Sequence, residues 1–75
     1  MPKHDPILKA FGSRVRSIRN EKKLSQERLA ENADIDPTYI SGIERGLRNP
    51  GIKNVARIAK ALGVRTCDLC KGVEA

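Results

Sequence analysis

The stretch of residues 26–45 constrains the fold more than any other part of this sequence. It predicts two short helices joined by a tight corner, because two helix-start signals lie close together. Ser25 precedes the first apolar-periodic run, and Asp36 with Pro37 repeats the pattern of an N-cap followed by a first-turn proline. The spacing of the apolar residues turns one face of both helices onto the same core, through Leu29, Ala33, Ile35, Ile40 and Ile43.

Three further helices are predicted around this pair. Asp5 and Pro6 begin a first helix that runs to about Lys22, with an inward face of Leu8, Phe11, Val15 and Ile18. Another helix follows the turn-rich loop at 46–51, with an inward face of Ile52, Val55, Ile58, Ala59 and Leu62. A last short helix covers roughly Thr66–Lys71. No stretch alternates as a strand does, so we expect an all-α protein of five helices.

Length and charge limit what such a chain can be. Seventy-five residues suffice for one domain, residues 1–75, whose first five residues we expect to be disordered. Fifteen basic residues against nine acidic ones give a net charge of +6, which suggests a polyanionic partner, with a merely solvated basic surface as an equal alternative. No apolar run approaches the roughly 20 residues that a membrane span requires, and no signal-peptide core is present. We therefore expect a cytoplasmic protein that binds no membrane.

The paired helices resemble those of a known family of regulators. The five apolar positions, the small Ala30, the opening Gln26 and the closing segment Tyr39–Gly46 are similar to the helix-turn-helix of the phage repressor and Cro family, which includes the xenobiotic-response-element regulators. The likeness extends from about Phe11 to Leu69, and residues 36–49 look especially like the controller proteins of restriction–modification systems. The resemblance implies a compact five-helix, lambda-repressor-like domain that binds DNA.

Two positions depart from the pattern of this family. Glycine is usual at the corner, where this chain has Asp34, and after the first helix, where it has Lys23. Aspartate is among the few other residue types that tolerate a left-handed backbone. We expect slight backbone strain at both positions, or turns that differ locally.

The second helix of such a motif enters the major groove of DNA by its N-terminal end. Its outward residues here are Pro37, Thr38, Tyr39, Ser41, Gly42 and Arg45. Thr38 offers a hydroxyl and a methyl group, and Tyr39 a phenolic donor for a base or a phosphate. We expect both to read bases, and plain helix-surface residues are the alternative interpretation. Gly42 would allow close approach without reading a base. Long polar readers are scarce on this helix, so part of the specificity is expected to come from DNA shape and deformability.

Phosphate contacts are expected on both sides of the reading helix. The resemblance implies a backbone contact for Gln26, which stands at the positive N-terminus of its helix. The opposite flank would be held by Arg45, Arg48, Asn49 and Lys53. Such contacts position a protein without reading sequence, and a solvated basic loop is the alternative interpretation. The resemblance also implies an ion pair between Arg19 and Glu44, which would tie the first helix to the end of the third.

One domain of this size covers little DNA, so we expect a homodimer on a palindrome with half-sites about ten base pairs apart. The dimer interface is predicted in the last third of the chain, where we expect exposed apolar side chains at Val64, Leu69 and Val73. This interface is predicted from chain position alone.

The pair Cys67 and Cys70 forms a C-x-x-C motif that has three interpretations. Two thiols are too few for a tetrahedral zinc site unless a dimer brings two pairs together, and the pair could also sense oxidation. Core packing is the interpretation we favour, because the family usually has a large apolar residue where Cys70 falls. We expect no metal and no cofactor.

Two functions from different classes follow from the sequence. The first is a sequence-specific transcriptional regulator, either a repressor or a restriction–modification controller. The second is a protein-interaction, redox or metal-sensing adaptor of the same fold that uses the C-x-x-C end. An enzyme is not expected, because the chain has a single histidine near its start and no nucleophile with a placed base.

Overall fold

The computed structural model describes residues 5–74, and these fold into five helices without a strand. The helices are α1 (Pro6–Glu21), α2 (Gln26–Ala33), α3 (Pro37–Glu44), α4 (Gly51–Leu62) and α5 (Thr66–Leu69). The all-α, five-helix prediction is therefore confirmed. Of the five residues predicted to be disordered, residues 1–4 lie outside the described part, and Asp5 is ordered as the N-cap of α1.

Three helices begin where short polar side chains cap them. Asp5 Oδ1 accepts hydrogen bonds from the N–H groups of Ile7 and Leu8, at 2.9 and 3.3 Å. Ser25 Oγ caps α2 and Asp36 Oδ1 caps α3 in the same way, at 3.0 and 2.7 Å. Each side chain satisfies a donor that the helix itself leaves unpaired. These local signals explain why the starts of the helices could be predicted.

The two positions where glycine would be usual both have left-handed backbone. Lys23 has φ 59° and Asp34 has φ 58°. Asp34 caps the C-terminus of α2, and its N–H is bonded to Glu31 O at 3.2 Å. The turns therefore keep the shape that glycine favours, and the strain is borne by residues with a Cβ atom.

The core lies between α2, which packs against α3 and α4, and α1, which packs against α3, α4 and α5. Its largest fully buried side chains are Val15, Leu29, Ile40, Ile43, Ile58 and Leu69. Gly12 marks the closest approach of α1 to α3, because a Cβ atom there would lie 2.3 Å from the carbonyl oxygen of Ile43. Arg14 fastens α5 to α1 by donating two hydrogen bonds to Asp68 O, at 3.0 and 2.9 Å.

Two predictions about apolar residues are wrong. Ile52 was expected to face inward but is 75% exposed, since the first turn of α4 lies beyond the packed core. Leu69 was expected to be exposed for dimer contacts but is fully buried, because α5 folds back onto α1 and α4 and inserts this side chain into the core. The last helix is also shorter than predicted, since Cys70 already ends it and Gly72 follows with φ 84°.

The two cysteines are free thiols at different depths. Cys70 is half-buried and packs against the core, as the packing interpretation predicts, whereas Cys67 is exposed. Over residues 5–74 no three acidic, histidine or cysteine side chains are grouped to hold a metal ion. No helix in the same range is long and apolar enough to cross a membrane.

Candidate nucleic-acid interface

Helix α3 presents its N-terminal end to solvent. Pro37 and Thr38 are exposed, whereas Ile40 and Ile43 on the opposite side are fully buried. Asp36 holds the first turn in place through its hydrogen bond to the N–H of Thr38. The hydroxyl and methyl groups of Thr38 are therefore free to meet a ligand in front of the helix.

Tyr39 is half-buried and joins α3 to the loop that follows it. The ring packs against the core, and the hydroxyl donates a hydrogen bond to Asn49 O at 3.0 Å. The donor that the sequence suggested for a base or phosphate is thus engaged within the chain. The phenolic oxygen keeps its capacity to accept a hydrogen bond.

Gly42 is buried although it lies on the outward side of α3, because the side chain of Arg48 covers it. A Cβ atom at Gly42 would lie 2.7 Å from Arg48 Cγ. The guanidinium of Arg48 continues over the ring of Tyr39, with 5.9 Å between Cζ and the ring centroid. Gly42 was expected to allow DNA to approach closely. In the structure it is the side chain of Arg48 that approaches it.

Thr38, Gly42, Arg45 and Arg48 line one open cleft at this end of the molecule. Arg45 is exposed, and its Nε makes a long contact of 3.4 Å with Ser41 O. The cleft thus combines the start of α3 with two cationic side chains from its end and from the loop, and it also includes Asp5, whose carboxylate caps α1. A polyanion placed against α3 would meet both charges.

The other flank of α3 is held by a buried ion pair. Arg19 donates from Nε and Nη2 to the two carboxylate oxygens of Glu44, at 2.7 and 3.0 Å, and from Nη1 to Leu24 O at 2.7 Å. The two side chains are 11% and 2% exposed. The hydrogen bond to Glu44 raises the pKa of Arg19 above its ordinary value, so the guanidinium stays charged. The geometry agrees with the pairing that the family resemblance implies.

Gln26 belongs to the same network. Its Nε2 donates to Glu44 Oε1 at 3.0 Å, a bond that sequence reasoning missed. A carboxylate accepts but does not donate, so this bond fixes the orientation of the amide. The side chain of Gln26 therefore orients the start of α2 against the end of α3. The free N–H groups of the first turn of α2 remain available for an anion.

The remaining predicted contacts lie along the loop after α3 and the start of α4. Asn49 and Lys53 are exposed, and Asn49 Oδ1 accepts a hydrogen bond from the N–H of Gly51 at 3.3 Å. Ser41 is half-buried on α3. Of the predicted dimer residues, Val64 and Val73 are half-buried and pack against the core.

Three comparisons with known proteins agree with this geometry. The family profile described as "Helix-turn-helix" matches residues 15–69. Control protein C.BamHI of Bacillus amyloliquefaciens is 53% identical over 60 residues, which cover 79% of this chain and 74% of the relative. The crystal structure of the restriction–modification controller C.AhdI from Aeromonas hydrophila superposes with a TM-score of 0.82 at 42% identity, covering 83% of this chain and 94% of that one.

A further solved structure contains nucleic acid. It is the tetramer of the restriction–modification controller C.Esp1396I in complex with its natural 35 base-pair operator. It matches with a TM-score of 0.81 at 40% identity and covers 87% of this chain and 86% of that one. The match in sequence and fold shows that this chain belongs to the phage-repressor and Cro-type helix-turn-helix family, which includes the restriction–modification controller proteins.

Proposed function

We propose that this protein is a sequence-specific regulator of transcription that binds double-stranded DNA as a homodimer on a palindromic operator, in the manner of a restriction–modification controller. The observation that carries the proposal is the exposed start of α3 in one cleft with Arg45 and Arg48. An α-helix fits the major groove, and cations beside it suit the phosphates on either wall. The operator bound by the related C.Esp1396I tetramer supports the same partner.

The reading surface consists of Pro37, Thr38, Tyr39 and Ser41 at the start of α3. Thr38 is the side chain most free to contact a base edge or a thymine methyl group, since it is exposed and only its backbone is engaged in capping. Tyr39 acts as an acceptor or through its ring edge, because its hydroxyl proton is bonded to Asn49 O. With few long readers on α3, DNA shape and deformability contribute to specificity.

Phosphate contacts hold the helix in register. On one flank we assign Gln26 through the backbone N–H groups of the first turn of α2, because its side-chain amide is bonded to Glu44. On the other flank we assign phosphate contacts to Arg45, Asn49 and Lys53, which are exposed. These contacts set the position of the protein and carry no sequence information.

For dimerisation we propose an apolar face that differs in part from the one predicted at Val64, Leu69 and Val73. Leu69 is in the core, but Ile52 is 75% exposed and lines a shallow groove with Ile7 and Val73. A second copy of this chain is the occupant we propose, since two domains are needed to cover two half-sites. The groove also includes Asn49 and Pro50, so the partner would lie beside the reading loop and leave Thr38 uncovered. Of the residues predicted for the interface, Val73 lines this groove and Val64 does not.

Control by binding alone is the simplest mode of action for this chain. We propose that it acts without catalysis, in the cytoplasm, and that its own concentration sets operator occupancy through dimerisation. The alternative adaptor function through Cys67 and Cys70 gains no support, because Cys70 packs against the core and the relatives are regulators.

Selection of bound duplexes from a random pool tests the proposal. We expect a palindrome with half-sites about ten base pairs apart. Binding should weaken steeply with salt, because cations on the protein release counterions from the phosphates. Thr38→Ala should relax the preference within each half-site. Cys67→Ser, which changes an exposed side chain of α5, should leave the selected sequence unchanged. A pool that remains random after repeated rounds would contradict the proposal.

A further inference from the structure

We infer that Arg48 is a base-reading residue, whose guanidinium is carried into the major groove along the outer face of α3 and recognises a guanine. This inference rests on the proposed DNA-binding function and changes the role expected for Arg48, which the sequence suggested to be a phosphate contact. Its basis is the path that the side chain takes over Gly42 and Tyr39.

The absence of a side chain at Gly42 gives Arg48 this path. The stem of Arg48 lies so close that a Cβ atom at Gly42 would be 2.7 Å from Cγ. Atoms do not approach that closely without displacement, so any larger residue at this position would move the arginine. Leu47, which precedes the arginine, is anchored by the hydrogen bond from its N–H to Gly42 O at 2.9 Å. The loop after α3 is thus bonded to Gly42, the same residue that the side chain of Arg48 passes over.

Tyr39 determines where the guanidinium ends. Cζ lies 5.9 Å from the centroid of the ring, within the range in which a cation is attracted to an aromatic face. The ring itself is fixed by core packing and by the hydrogen bond from its hydroxyl to Asn49 O. Tyr39 lies in the first turn of α3. The guanidinium of Arg48, a loop residue, therefore lies near the N-terminal end of α3, which we propose reads the bases.

The hydrogen-bond donors of Arg48 are free to meet DNA. Across residues 5–74 no hydrogen bond or ion pair engages its guanidinium, whereas Arg19 is paired with Glu44 and Arg14 is bonded to Asp68 O. A guanidinium offers a rigid fork of donors and no acceptor. Guanine presents two neighbouring acceptors, O6 and N7, in the major groove, and no other base does. The two patterns are complementary.

Arg48 differs in position from the cationic side chains that we assign to phosphates. Arg45 is exposed just after the end of α3, and Lys53 is exposed in the first turn of α4. Arg48 lies over the helix itself, against Gly42 and Tyr39, so it enters the groove with the helix. Arg45, Arg48 and Lys53 carry the same charge, but only Arg48 lies over the outer face of α3, which is why we assign it to a base.

Duplex selection followed by binding measurements on the selected site tests this inference. For Arg48→Ala we expect one G·C pair in each half-site to lose its preference, with discrimination at that pair falling at least about fivefold. Arg48→Lys should lose most of that discrimination while the salt dependence stays as in the wild type, because the charge remains but the fork does not. The charge-matched control, Lys53→Ala, should weaken all sequences alike and leave the selected sequence unchanged.

Gly42→Ala tests the path of the side chain without changing any charge. The added methyl group displaces Arg48 from α3, so the same G·C preference should weaken although Arg48 is still present. Circular dichroism and the melting temperature check that this variant is folded. If it is not, the loss of G·C discrimination in Arg48→Lys still tests the role of Arg48.

Two results would overturn the inference. If Arg48→Ala and Arg48→Lys both select the wild-type sequence and Arg48→Ala weakens all duplexes by one factor, Arg48 is a phosphate contact, and the proposed function still stands. If the wild-type protein itself selects no sequence, the proposed function fails, and the reading role of Arg48 fails with it.

Discussion

At the scale of single residues, Gly12 tests how closely α1 lies on α3. A Cβ atom there would be 2.3 Å from Ile43 O and 2.7 Å from Glu44 O, and both atoms belong to the backbone. We expect Gly12→Ala to lower the free energy of unfolding by about 3 kcal/mol, at the upper end of the cost of overpacking. Urea denaturation measures the change. Ser13→Ala, an exposed neighbour on the same helix, should have almost no effect, and equal effects of the two changes would contradict the packing.

The left-handed backbone at Lys23 predicts a stabilising substitution. Its φ of 59° strains any residue with a Cβ atom, and glycine removes that strain at some cost in the entropy of the unfolded chain. Lys23→Gly should therefore raise the free energy of unfolding by about 0.5–1 kcal/mol. Lys22→Gly is the matched control, because Lys22 has ordinary right-handed backbone, with φ −82°, and gains nothing from glycine. A loss of stability in Lys23→Gly would contradict this reasoning.

The buried pair of Arg19 and Glu44 should matter far more than an exposed pair. Removing one partner leaves the other charge buried without compensation, so Glu44→Ala should cost about 3 kcal/mol. Glu31→Ala breaks the exposed pair with Arg28, whose side chains are 62% and 71% exposed, and should cost less than about 1 kcal/mol. Thermal melting of both variants measures the difference. An unchanged melting temperature in Glu44→Ala would show that the pair does not tie α1 to α3.

At the scale of elements, α5 is held by one apolar side chain and one arginine. Leu69 is fully buried, and Arg14 donates two hydrogen bonds to Asp68 O. Leu69→Ala should lower the free energy of unfolding by about 3 kcal/mol, because the cavity lies in the core. Cys67→Ala, on the exposed side of the same turn, should change it little. Chemical denaturation measures both changes. A small effect of Leu69→Ala would contradict the burial of Leu69 in the core.

The helices could be predicted from the sequence because their signals are local. Asp5, Ser25 and Asp36 each cap a helix that begins at the next residue. Periodicity also gave the buried faces of α1 to α3. It failed for Ile52, because a helical period shows which residues share a face but not where the neighbouring helices end. The exposure of Leu69 was predicted from chain position alone, which carries no information on packing.

The candidate site could be predicted in part for the same reason. The exposure of Thr38 follows from the phase of α3, which is a property of one helix. The contact of Gly42 with Arg48 depends on how the loop after α3 folds back, and the bond from Gln26 to Glu44 joins two helices across 18 residues of sequence. No local pattern encodes such contacts, so only the folded chain reveals them. Gly42 on an outward face was the single sequence signal of a close approach.

At the scale of the whole molecule, the apolar groove predicts how two copies associate. Ile52 is 75% exposed and lies in the groove, whereas Leu47 is 54% exposed and lies outside it. Ile52→Ser should therefore shift the protein towards monomer with no loss of thermal stability in the monomer, and Leu47→Ser should leave the association unchanged. Sedimentation equilibrium over a concentration series measures both. Equal association of wild type and Ile52→Ser would place the interface elsewhere.

One face of this small domain, built from α3 and its flanking loop, is the face that we propose meets the DNA. Titration of the isotope-labelled protein with its selected duplex, followed by amide chemical shifts, tests this proposal most directly. We expect the largest shift changes on residues 36–49 and on the start of α2, and no change at Ile52 other than one that dimerisation itself causes. Changes centred instead on Arg57, Lys60 and the end of α4, with Thr38 and Arg48 unaffected, would contradict it.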